Sequence, residues 1–287
     1  MKLAMVDSPN GPVPAVATEA GLISVAEAIG DAPPTLEALI REQDRWLPRL
    51  RQAPDSSASA GDSAALLAPL TERAVIAIGL NYHDHCREFG TPPPEAPIVF
   101  VKLPSSIAGP ADDIRWDPEV TEEVDWEAEL GVVIGRAARN VAVGDASEVI
   151  FGYTAVNDVT ARDIQRREQQ WVRAKSLDTF CPIGPVVVTR DALDARAGLR
   201  IRSWVNGTVM QDSSTSELIF GIDELVAYLS RSFTLQPGDV IATGTPLGVG
   251  AFRAPPIFLR DGDVVEVELE GIGRLRNRCR VVGKEVA

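Results

Sequence analysis

Cysteine and histidine are scarce in this 287-residue sequence. The three cysteines, Cys86, Cys181 and Cys279, are odd in number and far apart, and no CxxC pair occurs. This spacing excludes a disulfide framework and a cysteine-rich zinc site. The only two histidines, His83 and His85, exclude a histidine-rich zinc site. The simplest interpretation is a protein of a reducing compartment, which predicts a cytoplasmic location.

Positive charge and long apolar runs are also lacking. Lysine and arginine number 28 against 41 aspartate and glutamate, a formal net charge of −13, and the resulting field repels nucleic-acid phosphates and anionic lipids. No window approaches the roughly 18 uninterrupted apolar residues of a membrane span. Asp7, Pro9 and Pro12 stand where a signal peptide needs an apolar stretch. Neither nucleic acid nor a membrane is therefore an expected partner.

The composition is that of a globular protein with a large core. Hydrophobic residues make up 45% of the chain and charged residues 24%, and this length fits one large domain, alone or with a small appendage. Residues 53–69 are rich in alanine and serine and predict a linker or a long loop. We therefore divide the chain into a small N-terminal domain with its linker, residues 1–70, and a larger domain, residues 71–287.

Short β-rich runs separated by glycine and proline dominate from Val75 onward. They predict an α+β fold in which strands outnumber helices. In the N-terminal region, Ser24 and Glu27 have the spacing of a capping box. A helical stripe after Thr35 is expected to end or kink at Pro48, because proline cannot donate a helical hydrogen bond.

The C-terminal basic run is interpreted as one face of a β-hairpin. With a turn at residues 271–273, Glu270, Glu268 and Glu266 face Arg274, Arg276 and Arg278, respectively. Opposite charges that pair across a hairpin stabilise it. The pattern therefore favours a structural role for these arginines over contact with nucleic acid.

Two glutamates share one face of a predicted strand in the segment DWEAELGVVI, residues 125–134. Alternate side chains of a strand point the same way, so Glu127 and Glu129 project together while the intervening residues point into a core. Asp158, which follows the run VIFGYTAVN, supplies a third carboxylate. Like charges this close raise each other's pKa or require a cation, and oxygen ligands favour Mg²⁺, with Mn²⁺ or Ca²⁺ as the other options. The alternative is a solvated sheet face.

A short helix is predicted between Asn81, as its cap, and Gly90, which can end it. On this helix His85 and Glu88 are three residues apart and can touch, so Glu88 could orient the imidazole and raise its basicity toward a water molecule. His83 points elsewhere, although it forms an HxH pair with His85. An exposed helical pair without a function is the alternative that the residues leave open.

The segment at residues 160–175 is predicted to begin a helix with a capping box of Thr160 and Asp163. It also contains several cationic side chains. Three of them are interpreted as a solvated helix face: Arg166, Arg167 and Arg173.

The glycine-rich run DVIATGTPLGVG, residues 239–250, lacks the spacing of nucleotide-binding loops. A glycine-rich turn after a strand can instead offer its backbone N–H groups to a carboxylate, together with the Thr245 hydroxyl. A plain tight turn explains the run equally well.

Seven segments, in this order, resemble the motifs of the fumarylacetoacetate hydrolase family, in the branch that holds acylpyruvate hydrolases and sugar-derived dioxo-acid hydrolases. They are GLNYHDHCRE, VKLPSSIAGP, EVDWEAELGVVIG, GYTAVNDVTARDIQ, KSLDTFCPIGP, VNGTVMQ and PGDVIATGTPLGVG. The resemblance covers residues 75–280. It implies a mixed β-sandwich roll with a small N-terminal domain, a fold often found as a homodimer.

The resemblance also implies a role for individual residues. It assigns a divalent metal to Glu127, Glu129 and Asp158, a water-activating dyad to His85 and Glu88, and stabilisation of a leaving enolate to Lys175. The substrate-binding residues that it implies are Arg162, Gln165, Gly244 and Thr245.

These expectations describe a divalent-metal-dependent hydrolase that cleaves a C–C bond in a 2,4-dioxo acid of the acylpyruvate type. Its partner would be a small anionic oxo acid. The alternative at the same metal site is a decarboxylase of a β-keto acid such as oxaloacetate, or an isomerase of an unsaturated oxo-diacid. A ligand-binding protein without catalysis is a further alternative, although every matched polar position is filled.

Overall fold

The computed structural model describes residues 1–18, 21–53 and 65–283, and within these ranges it contains eighteen β-strands and eight α-helices. The strands are β1 (Lys2–Val6), β2 (Val13–Thr18), β3 (Gly21–Ser24), β4 (Leu66–Leu67), β5 (Val75–Gly79), β6 (Ile98–Lys102), β7 (Ile107–Ala108), β8 (Ile114–Trp116), β9 (Val124–Asp125), β10 (Ala128–Ile134), β11 (Ile150–Asn157), β12 (Thr160–Ala161), β13 (Cys181–Thr189), β14 (Arg200–Val205), β15 (Thr208–Ser214), β16 (Val240–Ala242), β17 (Val264–Leu269) and β18 (Gly273–Val281). The helices are α1 (Val25–Ile29), α2 (Leu36–Arg41), α3 (Gln43–Gln52), α4 (His83–Phe89), α5 (Ala146–Val149), α6 (Arg162–Arg167), α7 (Val172–Lys175) and α8 (Ile222–Ser232).

An eleven-stranded sheet forms the centre of the described structure. Nine of its strands run in the order β3-β2-β1-β13-β11-β10-β16-β5-β6, and β4 and β7 pair with β1 and β13. The sheet is mixed, because β16 runs parallel to β5 and β13 runs parallel to β7. Strand β1 pairs directly with β13, so the N-terminal strands extend the same sheet. The domain boundary after residue 70 stays a prediction, and most of the expected linker, residues 54–64, lies outside the described residues.

Two layers cover the two faces of the large sheet. On one face Leu130 and Val132 of β10 pack against Leu269 of a second, five-stranded sheet, whose order is β15-β14-β17-β18-β8, and against helix α8. On the other face Val133 belongs to a core that includes Leu39 of α2 and residues of α3. This alternation along β10 is the period of two that a strand imposes. The expectation of a strand-dominated α+β fold is confirmed.

A third apolar cluster holds the connections at one end of β10 and β11. Trp126, Val159 and Ile164 are fully buried in it together with residues of β8, β17 and β18. Strands β9 and β12 pair beside this cluster, where Asp125 lies opposite Thr160. The cluster therefore fixes the two segments that carry Glu127 and Asp158 against each other.

The C-terminal hairpin forms, but its predicted register is wrong. The loop consists of residues 270–272, so the glutamates at 268 and 266 face Arg274 and Arg276, and Val264 faces Arg278. Leu269 and Ile272 are both buried in the core, and their packing decides which residues form the turn. The arginines nevertheless alternate with buried residues along β18 as expected, and Arg274 donates two hydrogen bonds to Glu268.

The predicted helix end at Pro48 is wrong and a kink there stays a prediction, whereas the predicted capping box at Ser24 and Glu27 is confirmed. Helix α3 continues through Pro48 to Gln52, and the chain breaks earlier, at Glu42 between α2 and α3. Buried side chains on α3 hold the helix in the core, which outweighs the one hydrogen bond that proline cannot make.

Among the described helices, none has both the length and the apolar character that a bilayer crossing requires.

Candidate active site

Three carboxylates that the sequence places in two separate segments meet in the structure. Strands β10 and β11 are antiparallel neighbours, and the Asp158 N–H donates to the Glu127 carbonyl at 2.9 Å. One oxygen from each of Glu127, Glu129 and Asp158 lies within 4.8 Å of the other two. Their residues are 5%, 1% and 0% exposed, respectively. The alternative of a solvated sheet face is therefore wrong.

Two of the three carboxylates are neutralised by buried cations. Lys175 Nζ donates to Glu127 Oε2 and to Asp158 Oδ2, both at 2.7 Å. Lys102 Nζ donates to Asp158 Oδ1 at 2.5 Å, and Arg162 Nη2 lies 2.6 Å from Glu127 Oε1. Burial alone would raise the pKa of Glu127, but the charges of Lys175 and Arg162 lower this pKa to about 2.

Glu129 is left without such a cation. No ion pair to it forms among the described residues, and its Oε2 accepts a hydrogen bond from the Gly244 N–H at 2.8 Å. Burial, followed by the charges of Asp158 and Glu127, raises the pKa of Glu129 well above its usual range. An oxygen-only set of buried carboxylates with one uncompensated charge fits a hard divalent cation. The triad can therefore hold a divalent metal ion.

Arg162 is fixed by the protein's own groups. Its Nε donates to Asp125 Oδ2 at 2.8 Å, and its Nη1 donates to Gln165 Oε1 at 2.9 Å. Asp125 also accepts from the Gly250 N–H at 2.7 Å.

The predicted capping box on α6 does not form, because Thr160 Oγ1 donates to the Asp158 carbonyl instead. Lys102 and Asp125, which the sequence motifs contain, were not among the expected site residues.

The predicted dyad forms at the edge of the triad. His85 Nδ1 lies 2.9 Å from Glu88 Oε2, and Glu88 Oε1 accepts from the Gly248 N–H at 2.8 Å. The His85 residue is 5% exposed, so the alternative of an exposed helical pair is wrong. Gly90 ends α4 in the left-handed conformation and His83 is exposed, both as expected. Asn81 does not cap α4, because its side chain bonds to Phe220 and Thr243.

The glycine-rich turn after β16 binds carboxylates, but they are the protein's own. The N–H groups of Gly244, Gly248 and Gly250 donate to Glu129, Glu88 and Asp125, respectively. Thr245 Oγ1 accepts from Gln211 Nε2 at 2.8 Å. The turn therefore connects the triad, the dyad and the carboxylate that holds Arg162.

A substitution at Gly244 tests this arrangement. Its φ is +100°, and an added Cβ would lie 2.8 Å from the Cβ of Asn81, so we expect Gly244→Ala to cost about 1–3 kcal/mol of unfolding free energy and to weaken metal binding. Gly207→Ala is the control, since its φ is +78° and nothing lies within 4 Å of the added Cβ. Urea denaturation and metal titration compare them, and equal effects of the two changes would contradict the expectation.

A cavity of about 390 Å³ opens above the triad. Its polar lining consists of Glu127, Glu129, Arg162, Gln165, Arg166, Lys175, His85 and Thr245. Aromatic rings form much of the wall, from Phe89, Phe100, Trp171 and Phe252. The Phe252 ring contacts both His85 and Phe89 edge-on. The interpretation of Arg166 as a merely solvated side chain is incomplete, because this exposed residue also lines the cavity.

Known proteins are similar to this chain in sequence and in fold. The sequence model of the fumarylacetoacetate (FAA) hydrolase C-terminal family matches residues 74–280. A Xenopus laevis protein named oxaloacetate tautomerase fahd2, mitochondrial, is 41% identical over 286 residues, which cover 96% of this chain and 89% of that protein. The human oxaloacetate tautomerase FAHD2A, mitochondrial, is 46% identical over 215 residues, covering 74% of this chain and 68% of that protein.

Solved structures agree over nearly the whole chain. A fumarylacetoacetate hydrolase from Exiguobacterium antarcticum has a TM-score of 0.88 and 39% identity, with 98% of this chain and 100% of that chain covered. A 5-carboxymethyl-2-hydroxymuconate delta-isomerase from Mycobacterium smegmatis has a TM-score of 0.78 and 38% identity, with coverage of 99% and 100%. The expected fold type is confirmed, and the chain belongs to the fumarylacetoacetate hydrolase family.

Proposed function

We propose that this protein interconverts the keto and enol forms of a small 2-oxo acid with a second carboxyl group, and that oxaloacetate is the first compound to test. The observation that carries the proposal is that His85 and Lys175 line one cavity above the carboxylate triad. The names of the oxaloacetate tautomerases and of the isomerase support this alternative better than the C–C hydrolysis that the sequence motifs favoured.

Glu127, Glu129 and Asp158 would hold the metal ion, with Mg²⁺ as the first choice and Mn²⁺ or Ca²⁺ next. When bound, such an ion supplies positive charge that stabilises negative charge on a substrate oxygen. Lys175 would donate a hydrogen bond to the same oxygen, since an ammonium has three hydrogens and two of them are used by the carboxylates. In this proposal Arg162, Gln165, Gly244 and Thr245 shape the site around the substrate.

His85 has the geometry of a proton carrier. A carboxylate can only accept hydrogen bonds, so the contact with Glu88 places the proton on Nδ1 and leaves the Nε2 lone pair free. In enol formation the C3 proton of the keto acid moves to Nε2, the C–H electron pair forms the C2=C3 bond, and the C2=O π pair moves to the 2-oxo oxygen. That oxygen takes up a proton from solvent, and His85 releases the C3 proton to solvent, which restores the neutral imidazole.

The test follows the enol absorbance of oxaloacetate beside the release of pyruvate. We expect the Mg²⁺-loaded protein to accelerate the keto–enol change without releasing pyruvate, and His85→Ala to lower kcat about 100-fold or more, because general acid–base groups contribute at least this much. His83→Ala, on the exposed side of α4, is the matched control. Pyruvate release from oxaloacetate would establish decarboxylation instead.

Hydrolysis of a 2,4-dioxo acid is the second candidate, because the His85–Glu88 dyad could equally activate water. Cleavage of acetylpyruvate, with no effect on oxaloacetate, would select it over tautomerisation.

A homodimer and a cytoplasmic location stay predictions, as does the absence of nucleic-acid and membrane partners. Light scattering distinguishes one 30.8 kDa chain from a pair.

A further inference from the structure

We propose that Arg166 determines specificity by binding the second carboxylate of a dicarboxylic oxo acid. This inference rests on the proposed function, because it assumes that the reacting end of the substrate lies at the triad. Arg166 lines the same cavity as the triad but belongs to its exposed part, where its side chain is 59% accessible. A ligand that extends from the buried carboxylates toward solvent passes this guanidinium.

The buried charges account for only one carboxylate of such a substrate. Among the described residues, the buried charged groups around the triad, apart from the half-buried Glu88 of the dyad, are four carboxylates, Asp125, Glu127, Glu129 and Asp158, and three cations, Lys102, Lys175 and Arg162. Each of these cations already contacts a protein carboxylate. A divalent ion in the triad would leave one net positive charge, which matches the carboxylate at the reacting end.

A second carboxylate would otherwise meet aromatic rings or the uncharged side chains of Gln165 and Thr245. Phe89, Phe100 and Trp171 offer it no hydrogen-bond donor along the ring faces, and an ionised group buried without a partner is strongly disfavoured. Among the described residues that line the cavity, the cationic side chains other than Arg166 are Arg162 and Lys175. Both pair with the triad, and the remaining hydrogen of Lys175 is assigned to the oxygen at the reacting end. Arg166 is therefore the remaining cation that can receive this group.

The present partner of Arg166 can be exchanged. Arg166 Nη2 lies 2.5 Å from Glu123 Oε2, and the two side chains are 59% and 29% exposed. An exposed ion pair of this kind contributes little to stability, so its replacement by a substrate carboxylate costs little. The planar guanidinium can also bind a carboxylate with two parallel hydrogen bonds.

The position of Arg166 on α6 suits a short diacid. Arg162 and Arg166 are four residues apart, so they share one face of the helix with roughly 5–6 Å between their Cβ atoms. Arg162 reaches inward to Glu127, and Arg166 lies one turn farther along, beside Glu123. The Arg162 guanidinium thus lies at the buried end of the cavity, and the Arg166 guanidinium lies at its exposed end.

Calorimetry on the Mg²⁺-loaded protein tests the inference with two ligands of equal chain length. 2-Oxoglutarate has the second carboxylate, whereas 2-oxovalerate has a methyl group in its place. We expect Arg166→Gln to weaken 2-oxoglutarate binding about tenfold and 2-oxovalerate binding less than about twofold, because a charge-assisted hydrogen bond is lost with only one of them. Glu123→Gln, which removes the competing carboxylate, should tighten 2-oxoglutarate binding. Arg167→Gln, the exposed neighbour, should change neither.

The possible outcomes separate this inference from the proposed function. If wild type binds both ligands equally well, or if Arg166→Gln weakens both by the same factor, the role of Arg166 is wrong while the oxo-acid site stands. If wild type binds neither ligand with Mg²⁺ present, the proposed function is wrong and the inference falls with it. A selective loss for 2-oxoglutarate, restored in part by Arg166→Lys, supports the assignment.

Discussion

Replacing Glu129 by glutamine is expected to weaken divalent-metal binding more than about 100-fold and to abolish turnover, since even the partners of metal ligands are worth roughly 10–100-fold in affinity. Glu129 is the triad member whose charge no buried cation balances. The change keeps the shape of the side chain and removes this charge. The two carboxylates that remain, Glu127 and Asp158, are already neutralised by Lys175 and its neighbours.

The same substitution should make the metal-free protein more stable, by about 1 kcal/mol, because burial and the neighbouring carboxylates raise the pKa of Glu129, which makes this acid unfavourable in the folded state at neutral pH, whereas glutamine does not titrate. Higher stability of the metal-free protein together with weaker metal binding is the result expected when a carboxylate serves to bind a cation. Mg²⁺ and Mn²⁺ titration calorimetry, together with thermal unfolding of the metal-free protein, measures both.

Glu95→Gln provides the control for this experiment, because it is the same change at an exposed residue before β6. It should alter neither metal affinity nor turnover. Wild-type metal affinity in Glu129→Gln would show that the ion, if one binds, lies elsewhere, and the proposed function would lose its metal site.

Two members of the triad could be predicted from a local rule, whereas Asp158 lies in a separate segment. The period of two along a strand predicts that Glu127 and Glu129 share one face, although β10 begins at Ala128, one residue after Glu127. The structure shows this directly, since the residues between and beyond them, such as Ala128 and Leu130, enter the opposite core. The dyad is local in the same sense, because three residues along a helix bring His85 to Glu88.

Residues whose partners lie far away in the sequence were harder to recognise. Lys102 is fully buried and lies 56 residues from its partner Asp158, and no local pattern specifies that distance. A signal was nevertheless present, because alternation along β6 places Lys102 on the same buried face as Phe100. A lysine at such a position requires a carboxylate partner within the core.

The register of the C-terminal hairpin and the cap of α6 were both predicted from a sequence pattern, and in the structure other contacts compete with that pattern. The C-terminal turn was misplaced by one residue because Ile272 packs into the core, which the charge pattern could not show. The cap predicted at Thr160 failed because its hydroxyl hydrogen-bonds to the Asp158 carbonyl. Core packing in the first case, and a hydrogen bond to the carbonyl two residues earlier in the second, outweighed a preference of about 1 kcal/mol.

Replacing Lys102 by methionine is expected to lower the unfolding free energy of the metal-free protein by about 3–5 kcal/mol, because it removes one of the two buried cations that bind Asp158 and leaves Lys175 to balance both Asp158 and Glu127. Lys102 is 0% exposed, and besides Asp158 its ammonium donates to the carbonyls of Val159 and Lys175. Methionine fills a similar volume but satisfies none of these acceptors. Urea denaturation gives the free energy, with Lys2→Met on the exposed side of β1 as the control.

A double variant separates loss of charge balance from loss of packing. If the weakened charge balance at the Asp158 carboxylate causes the instability, Lys102→Met with Asp158→Asn should recover at least half of the free energy that Lys102→Met loses, because the asparagine carries no charge to balance. Additive losses would instead assign the effect to the shape of the lysine side chain. A Lys102→Met protein as stable as Lys2→Met would contradict the buried pair altogether. In either double-variant outcome turnover should be absent, since Asp158 is part of the proposed metal site.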